Sequence, residues 1–195
     1  MKIKKVVTYL IIACFICALT SKKVNAEDEL NMNDISYGEL LKKIDYDEYL
    51  SLNEETRNYF DSVKASELLD EDNNNNRAEF DSLERSILFE PHFVLNLAQI
   101  NRSGDYLYYG GSVTCQNFNA KKISIQAYLI KKSDGKIIAN SSDSKTNVKQ
   151  YGILKKKSIT KSTTLYYAKS VATITAPDTY IPSQKVITNS SANIQ

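Results

Sequence analysis

The stretch that decides the fold is KKISIQAYLIKKSDGKII, residues 121–138. Ile123, Ile125, Ala127 and Leu129 alternate with Ser124, Gln126 and Tyr128. That period of two belongs to a strand whose two faces meet different surroundings. Ser133-Asp134-Gly135-Lys136 follows, and Asp-Gly between apolar runs is a hairpin signal because glycine takes a positive φ freely. Ile137 and Ile138 begin the return strand. Upstream, Phe93 to Ile100 is apolar-rich and leads into a turn at Arg102-Ser103-Gly104-Asp105. Tyr106 to Cys115 reads as another strand, with Gly110-Gly111 marking a bulge or a close backbone approach. Downstream, Thr160 to Thr175 is long and β-branched, with Tyr166 and Tyr167 at its middle, and Lys185 to Ile194 supplies a last strand. About six or seven strands without helices between them predict a mainly β fold, an antiparallel β-sandwich over residues 91–195.

The residues before this block read differently. From Glu27 to Glu90 there are 19 Asp+Glu against 6 Lys+Arg; from Pro91 to Gln195 there are 4 acids against 14 bases. Residues 27–90 therefore form an acidic segment, and its spacing is helical. Asn33, Asp34 and Ser36 offer N-caps, and Ser36 with Glu39 has capping-box spacing. Leu40, Leu41 and Ile44, then Tyr46, Tyr49 and Leu50, approximate one apolar stripe. Ser51 and Glu54 repeat the capping-box spacing. Tyr59, Phe60, Val63, Leu68 and Leu69 continue a second amphipathic stretch. Phe80, Leu83 and Ile87 suggest a third. Helices this short are unstable alone in water and require a partner surface.

Residues 1–26 read as an export signal. Lys2, Lys4 and Lys5 precede an apolar run from Val6 to Leu19, and Val24-Asn25-Ala26 fits a cleavage site. The run is short for a bilayer span. An uncleaved anchor and lipidation at Cys14 are the alternatives. Cleavage after Ala26 removes five Lys, Cys14 and Cys17. It leaves 20 basic and 23 acidic residues and a single thiol, Cys115. No internal disulfide then forms, and the fold rests on core packing.

Gly111-Ser112-Val113-Thr114-Cys115, the alternating strand Ile123 to Lys132, the polar hairpin Ser133 to Lys136 and the Tyr166 to Thr175 strand together resemble a family of small secreted β-sandwich proteins of Gram-positive bacteria whose function is uncharacterised. The resemblance covers about half of the chain. It departs at the hairpin exit, where family members often carry Trp and this chain has none. It implies a sandwich and an extracellular address, and it carries over no catalytic residue.

The chemistry-bearing residues are few. The single His, His92, stands at the segment junction without a nucleophile and base arrangement around it. No serine nucleophile elbow, paired cysteine ligands or phosphate-binding glycine loop occurs. Asp70, Asp72, Asn74 and Asp81 fall at EF-hand positions 1, 3, 5 and 12, but Asn75, Arg77 and Ala78 break the ligand set, which favours a polar linker. Neither metal nor cofactor is expected. Tyr106, Tyr108, Tyr109, Tyr166 and Tyr167, with Lys155, Lys156 and Lys157, are the candidate binding residues. Tyrosines stack on ligands but also pack across strands, and lysines attract anionic polymers but also blunt sheet edges. Cys115 alternates in register with Val113 and reads as a buried thiol, with an intermolecular disulfide as the functional alternative. Nucleic acid is an improbable partner for an exported chain lacking any nucleic-acid module.

These features lead to three expectations about function. The first is a secreted, non-enzymatic binding or structural module at the cell envelope or on an extracellular partner. The second is a pro-protein whose acidic segment neutralises a cationic β-domain effector until cleavage near Glu90. The third, an enzyme, has the least support.

Overall fold

Two antiparallel sheets, of three and four strands, form the body of the protein, and short helices precede them. A computed structural model describes residues 32–71, 87–88, 94–160, 162–181 and 183–195. The export signal, Cys14, Cys17, Asp72 to Asp81, Phe80, Leu83, His92, Phe93, Lys161 and the Glu90-Pro91 boundary lie outside the described residues. The helices are α1 (Tyr37–Ile44), α2 (Tyr46–Ser51), α3 (Glu54–Ser62) and α4 (Ala65–Leu69). The strands are β1 (Ile87–Leu88), β2 (Val94–Ser103), β3 (Tyr106–Cys115), β4 (Ala120–Lys131), β5 (Ile137–Val148), β6 (Gln150–Ser158), β7 (Tyr166–Thr175), β8 (Tyr180–Ile181) and β9 (Gln184–Ser190). The sheet orders are β2-β3-β6 and β5-β4-β7-β9, with a small parallel pair β1-β8. In strand order this is the seven-stranded immunoglobulin constant-type arrangement with one change: the fourth long strand joins the third instead of the fifth.

The helices form where local caps supply what their ends lack. Ser36 Oγ accepts from the Glu39 amide at 3.1 Å while the Glu39 carboxylate accepts from the Ser36 amide at 3.0 Å. Asp45 ends α1 and caps α2, accepting from the Glu48 amide at 3.0 Å. This break shifts the helical phase, so the expected single stripe divides. Tyr49 is buried, whereas Tyr46 and Leu50 stay exposed at 57% and 51%. The cap of α3 is Asn53, accepting from Thr56 N at 2.8 Å, not the expected Ser51. Ser51 is occupied within α2, donating to the Glu48 carbonyl at 2.8 Å. Ile87, expected in a third helix, lies in β1.

The alternation in β4 describes two buried faces. Ile123, Ile125, Ala127 and Leu129 enter the core between the sheets with Leu107, Val113, Ala172 and Ile174. The opposite side is not open to solvent. Tyr128 and Ile130 pack with Tyr167, Val171 and Val186 under Tyr37, Leu40, Leu41, Phe60 and Leu68 of the helices. The helices thus cap the outer face of the four-stranded sheet, and the described residues belong to one compact unit. The result is three layers: cap, four-stranded sheet, three-stranded sheet.

The cap is fastened at its centre by a hydrogen bond between the Tyr37 and Tyr128 hydroxyls, 2.9 Å apart and fully buried. Burial pushes both phenols above their usual range. Tyr37→Phe leaves the Tyr128 hydroxyl without this partner, so we expect a loss of about 1–2 kcal/mol, and the double variant with Tyr128→Phe should lose less than the two single losses added together. Both phenols are held neutral in the fold, so their contribution is complete below the unfolded tyrosine pKa of about 10 and is lost as pH rises above it. Melting temperatures measured between pH 8 and 11 for the four proteins of this cycle check both statements.

Lys155, Lys156 and Lys157 lie in the second half of β6, next to its end at Ser158. Two strand boundaries differ from expectation. β7 begins only at Tyr166, and β9 ends at Ser190, with Ile194 making an isolated bridge back to Tyr166. The hairpin forms as read: Gly135 adopts φ 67°, and Asp134 accepts from the Lys136 amide at 3.2 Å. Gly110-Gly111 is a close approach without a bulge, since pairing with β2 and β6 runs through it unbroken.

Candidate functional site

The helical cap covers one outer face of the sandwich; among the described residues the outer face of the three-stranded sheet is the open one. Register places Leu97, Ser112 and Gly152 in one cross-strand row, then Gln99, Gly110 and Leu154, then Asn101, Tyr108 and Lys156, then Ser103, Tyr106 and Ser158. Leu97, Tyr106 and Leu154 are exposed at 43%, 42% and 60%. The Lys156 ammonium lies 5.1 Å from the Tyr106 ring centroid, within cation–π range. Gly152, in the row of Leu97, is exposed, whereas Gly110, in the row of Leu154, is buried. The glycine at 110 is required by backbone approach: a Cβ there would lie 2.0 Å from the Ile153 carbonyl oxygen.

Three of the eight candidate binding residues therefore converge on this face: Tyr106, Tyr108 and Lys156. Lys155 and Lys157 are exposed on the same edge strand, in register with Tyr109 and Leu107. The remaining three are core residues. Tyr109 is buried between the sheets and donates to the Asn140 carbonyl at 3.0 Å. Tyr166 is buried in the same interior, and Tyr167 is buried under the cap, donating to the Leu69 carbonyl at 3.1 Å. Adjacent tyrosines in a strand must face opposite sides, which separates Tyr108 from Tyr109 and Tyr166 from Tyr167.

Several polar residues with structural roles escaped sequence reading. Lys169 is fully buried in β7, donating to the Asp70 carbonyl at 2.6 Å and to Ser190 Oγ at 3.0 Å. Glu48, also buried, pairs with Lys122 at 2.6 Å. Asp45 accepts from Ser142 Oγ at 2.6 Å. All three tie the cap to the sheet. Their only sequence signal is a charged or polar residue in an otherwise apolar run, as Lys169 is in Tyr166–Thr175. Beneath the cap, Ser124 Oγ, Thr173 Oγ1 and the Gln126 amide are buried without a protein hydrogen-bond partner. Ser124 and Thr173 are directly paired across β4 and β7. Burying polar groups in this way costs stability, and no described base stands within hydrogen-bond reach of either hydroxyl to make it a nucleophile.

Among the described residues, no three His, Cys, Asp or Glu side chains are grouped to hold a metal ion. No helix among them is long and apolar enough to cross a membrane. Cys115 is 0% exposed, and burial pushes its thiol up to about 11. A disulfide between copies through Cys115 thus requires the sandwich to open. We expect an aromatic disulfide reagent at pH 8 to leave Cys115 unmodified in the folded protein and to label it at once in denaturant. Rapid labelling without denaturant would refute the burial argument.

No protein-family model matches the chain, and no curated protein matches it.

Proposed function

We propose that the chain is a secreted, non-enzymatic binding or structural module, acting at the cell envelope or on an extracellular partner through the outer face of its three-stranded sheet. One observation carries the reading: Tyr106, Tyr108 and Lys156 share that face with exposed Leu97 and Leu154, while the cap covers the opposite face of the sandwich. Aromatic rings beside a cation, with apolar neighbours on an open sheet face, suit recognition of an extended anionic surface rather than enclosure of a small molecule. Lys155 and Lys157 on the same edge strand add positive charge, which favours an anionic envelope polymer.

The test is cosedimentation of the purified chain with Gram-positive cell walls, intact or stripped of their phosphate polymers. Binding to intact walls should weaken with added salt, fall on stripped walls, and drop about tenfold or more in a Tyr106→Ser/Lys156→Ser variant. A variant that binds walls as well as the parent protein would remove this face from the proposal.

A further inference from the structure

We propose that the open sheet face takes the acidic cap of a second copy of the chain, so that copies associate head to tail. This rests on the reading of that face as the contact surface and names its partner. Among the described residues, six large hydrophobic side chains are exposed, and five fall into two patches. Leu97, Tyr106 and Leu154 form the patch on the three-stranded sheet. Tyr46 and Leu50 form the patch on the cap, four residues apart on α2 and therefore on one side of it. Glu48, on the opposite side of α2, and Tyr49, at its flank, are buried.

The surroundings of the two patches are opposite in charge. Asp47 lies between Tyr46 and Leu50 in sequence, and Glu54 and Glu55 open α3 just beyond them. All three acids are exposed, and none has an ion-pair partner among the described residues. Their place in first helical turns accounts for their helix-stabilising role. It leaves their charge facing solvent next to two exposed apolar side chains. The sheet patch carries Lys156 on the same face, and Lys157 is exposed next to it on the same edge strand, facing the other side; neither has an ion-pair partner among the described residues. The same complementarity appears at the scale of the chain, with 19 acids against 6 bases in residues 27–90 and 4 against 14 in residues 91–195.

Position decides the mode of association. The cap rests on the four-stranded sheet, and the sheet patch lies on the far side of the sandwich. One copy therefore carries both halves of the contact on separate outer layers and cannot join them within itself. A contact between unlike patches is heterologous, and each copy added presents a fresh patch at either end.

Sedimentation velocity of the full chain over a concentration series tests this. The average mass should rise through dimer and trimer without stopping at dimer, and added salt should reverse it. Leu154→Glu on the sheet, and Asp47→Lys/Glu54→Lys/Glu55→Lys on the cap, should each weaken self-association about tenfold or more. All these positions are exposed, and a single cooperative melt certifies each fold, with the cap variant melting somewhat lower because positive charges replace acids in first helical turns. Mixed together, each variant still carries one intact half, so a one-to-one heterodimer should form and grow no further. A parent chain that stays monomeric throughout, a dimer insensitive to the cap substitutions, or failure of the mixture to pair would overturn the proposal. Wall cosedimentation of Leu154→Glu separates the two readings. If the parent is monomeric but this variant loses wall binding, the face binds another partner and only the self-association fails. If neither property changes, both fail.

Discussion

Produced without its helices, the segment Pro91–Gln195 is expected to yield aggregated or molten protein rather than a soluble, cooperatively melting sandwich. Tyr128, Ile130, Tyr167, Val171 and Val186 lie on one face of the four-stranded sheet and are buried by Tyr37, Leu40, Leu41, Phe60 and Leu68. Without the cap, that face becomes a contiguous apolar patch of the kind monomeric proteins avoid. Each buried side chain of this size contributes about 1.5–3 kcal/mol, against a total stability of about 5–15 kcal/mol for a domain. The polar ties go as well: Tyr37 to Tyr128, Glu48 to Lys122, Asp45 to Ser142, and Lys169 to the Asp70 carbonyl. The measurements are size-exclusion elution, dye binding to exposed apolar surface, and a thermal melt, each beside a chain that retains residues 27–195. A monomeric 91–195 fragment with an unchanged melt would show the cap to be dispensable and would favour the pro-protein reading. The intact mass of protein recovered from culture supernatant is the companion measurement. A mass matching residues 27–195 means that the acidic segment is retained. Cutting between cap and sandwich need not release the cap, because its hold on the sheet is made by packing and hydrogen bonds as well as by the chain.

The hydrophobic period in β4 revealed the strand and its two faces, because alternation is a local property of the chain. What it did not reveal was the cover over the second face. Ser124 and Gln126 are polar side chains on that second face, yet each is 1% exposed beneath the helices. Only tertiary contacts from residues far away in sequence place them there. The same distance hid the Glu48–Lys122 pair, whose members are 74 residues apart. The Ser36–Glu39 capping box was legible because it closes within one turn. At α3 the spacing pointed to Ser51 with Glu54, whereas the cap is Asn53, the residue directly before the helix. Strand β6 went unread because an edge strand with Gly152 and three consecutive lysines has no apolar alternation; such edges are charged to resist pairing with other chains. For the candidate site, period two already separated Tyr108 from Tyr109. Which of the pair meets solvent depended on which sheet face the helices left open, and that is a property of the whole fold.

The glycines at the centre of β3 carry the second large expected effect. Gly110→Ala should destabilise the protein by about 3 kcal/mol or more, at the upper end of what overpacking costs. The added Cβ would lie 2.0 Å from the Ile153 carbonyl oxygen and 3.0 Å from the Leu154 Cα, both backbone atoms of β6. A flexible side chain could rotate away from such a clash, but a strand backbone moves only if its ladder moves. Gly110 pairs directly with Leu154, so relief means shifting β6 away from β3 across the row that presents Leu154 and Lys156. Gly104→Ala provides the contrast. Its φ of +56° strains an L-residue, but no atom lies within 4 Å of the new Cβ, so about 1 kcal/mol is expected from backbone strain alone. Urea unfolding of the two variants beside the parent measures the difference. If Gly110→Ala costs no more than Gly104→Ala, the close β3–β6 approach is not rigid. If it costs what the geometry implies, the same substitution should also weaken whatever the open face binds, because Leu154 and Lys156 reach that face only through the pairing of β6 with Gly110.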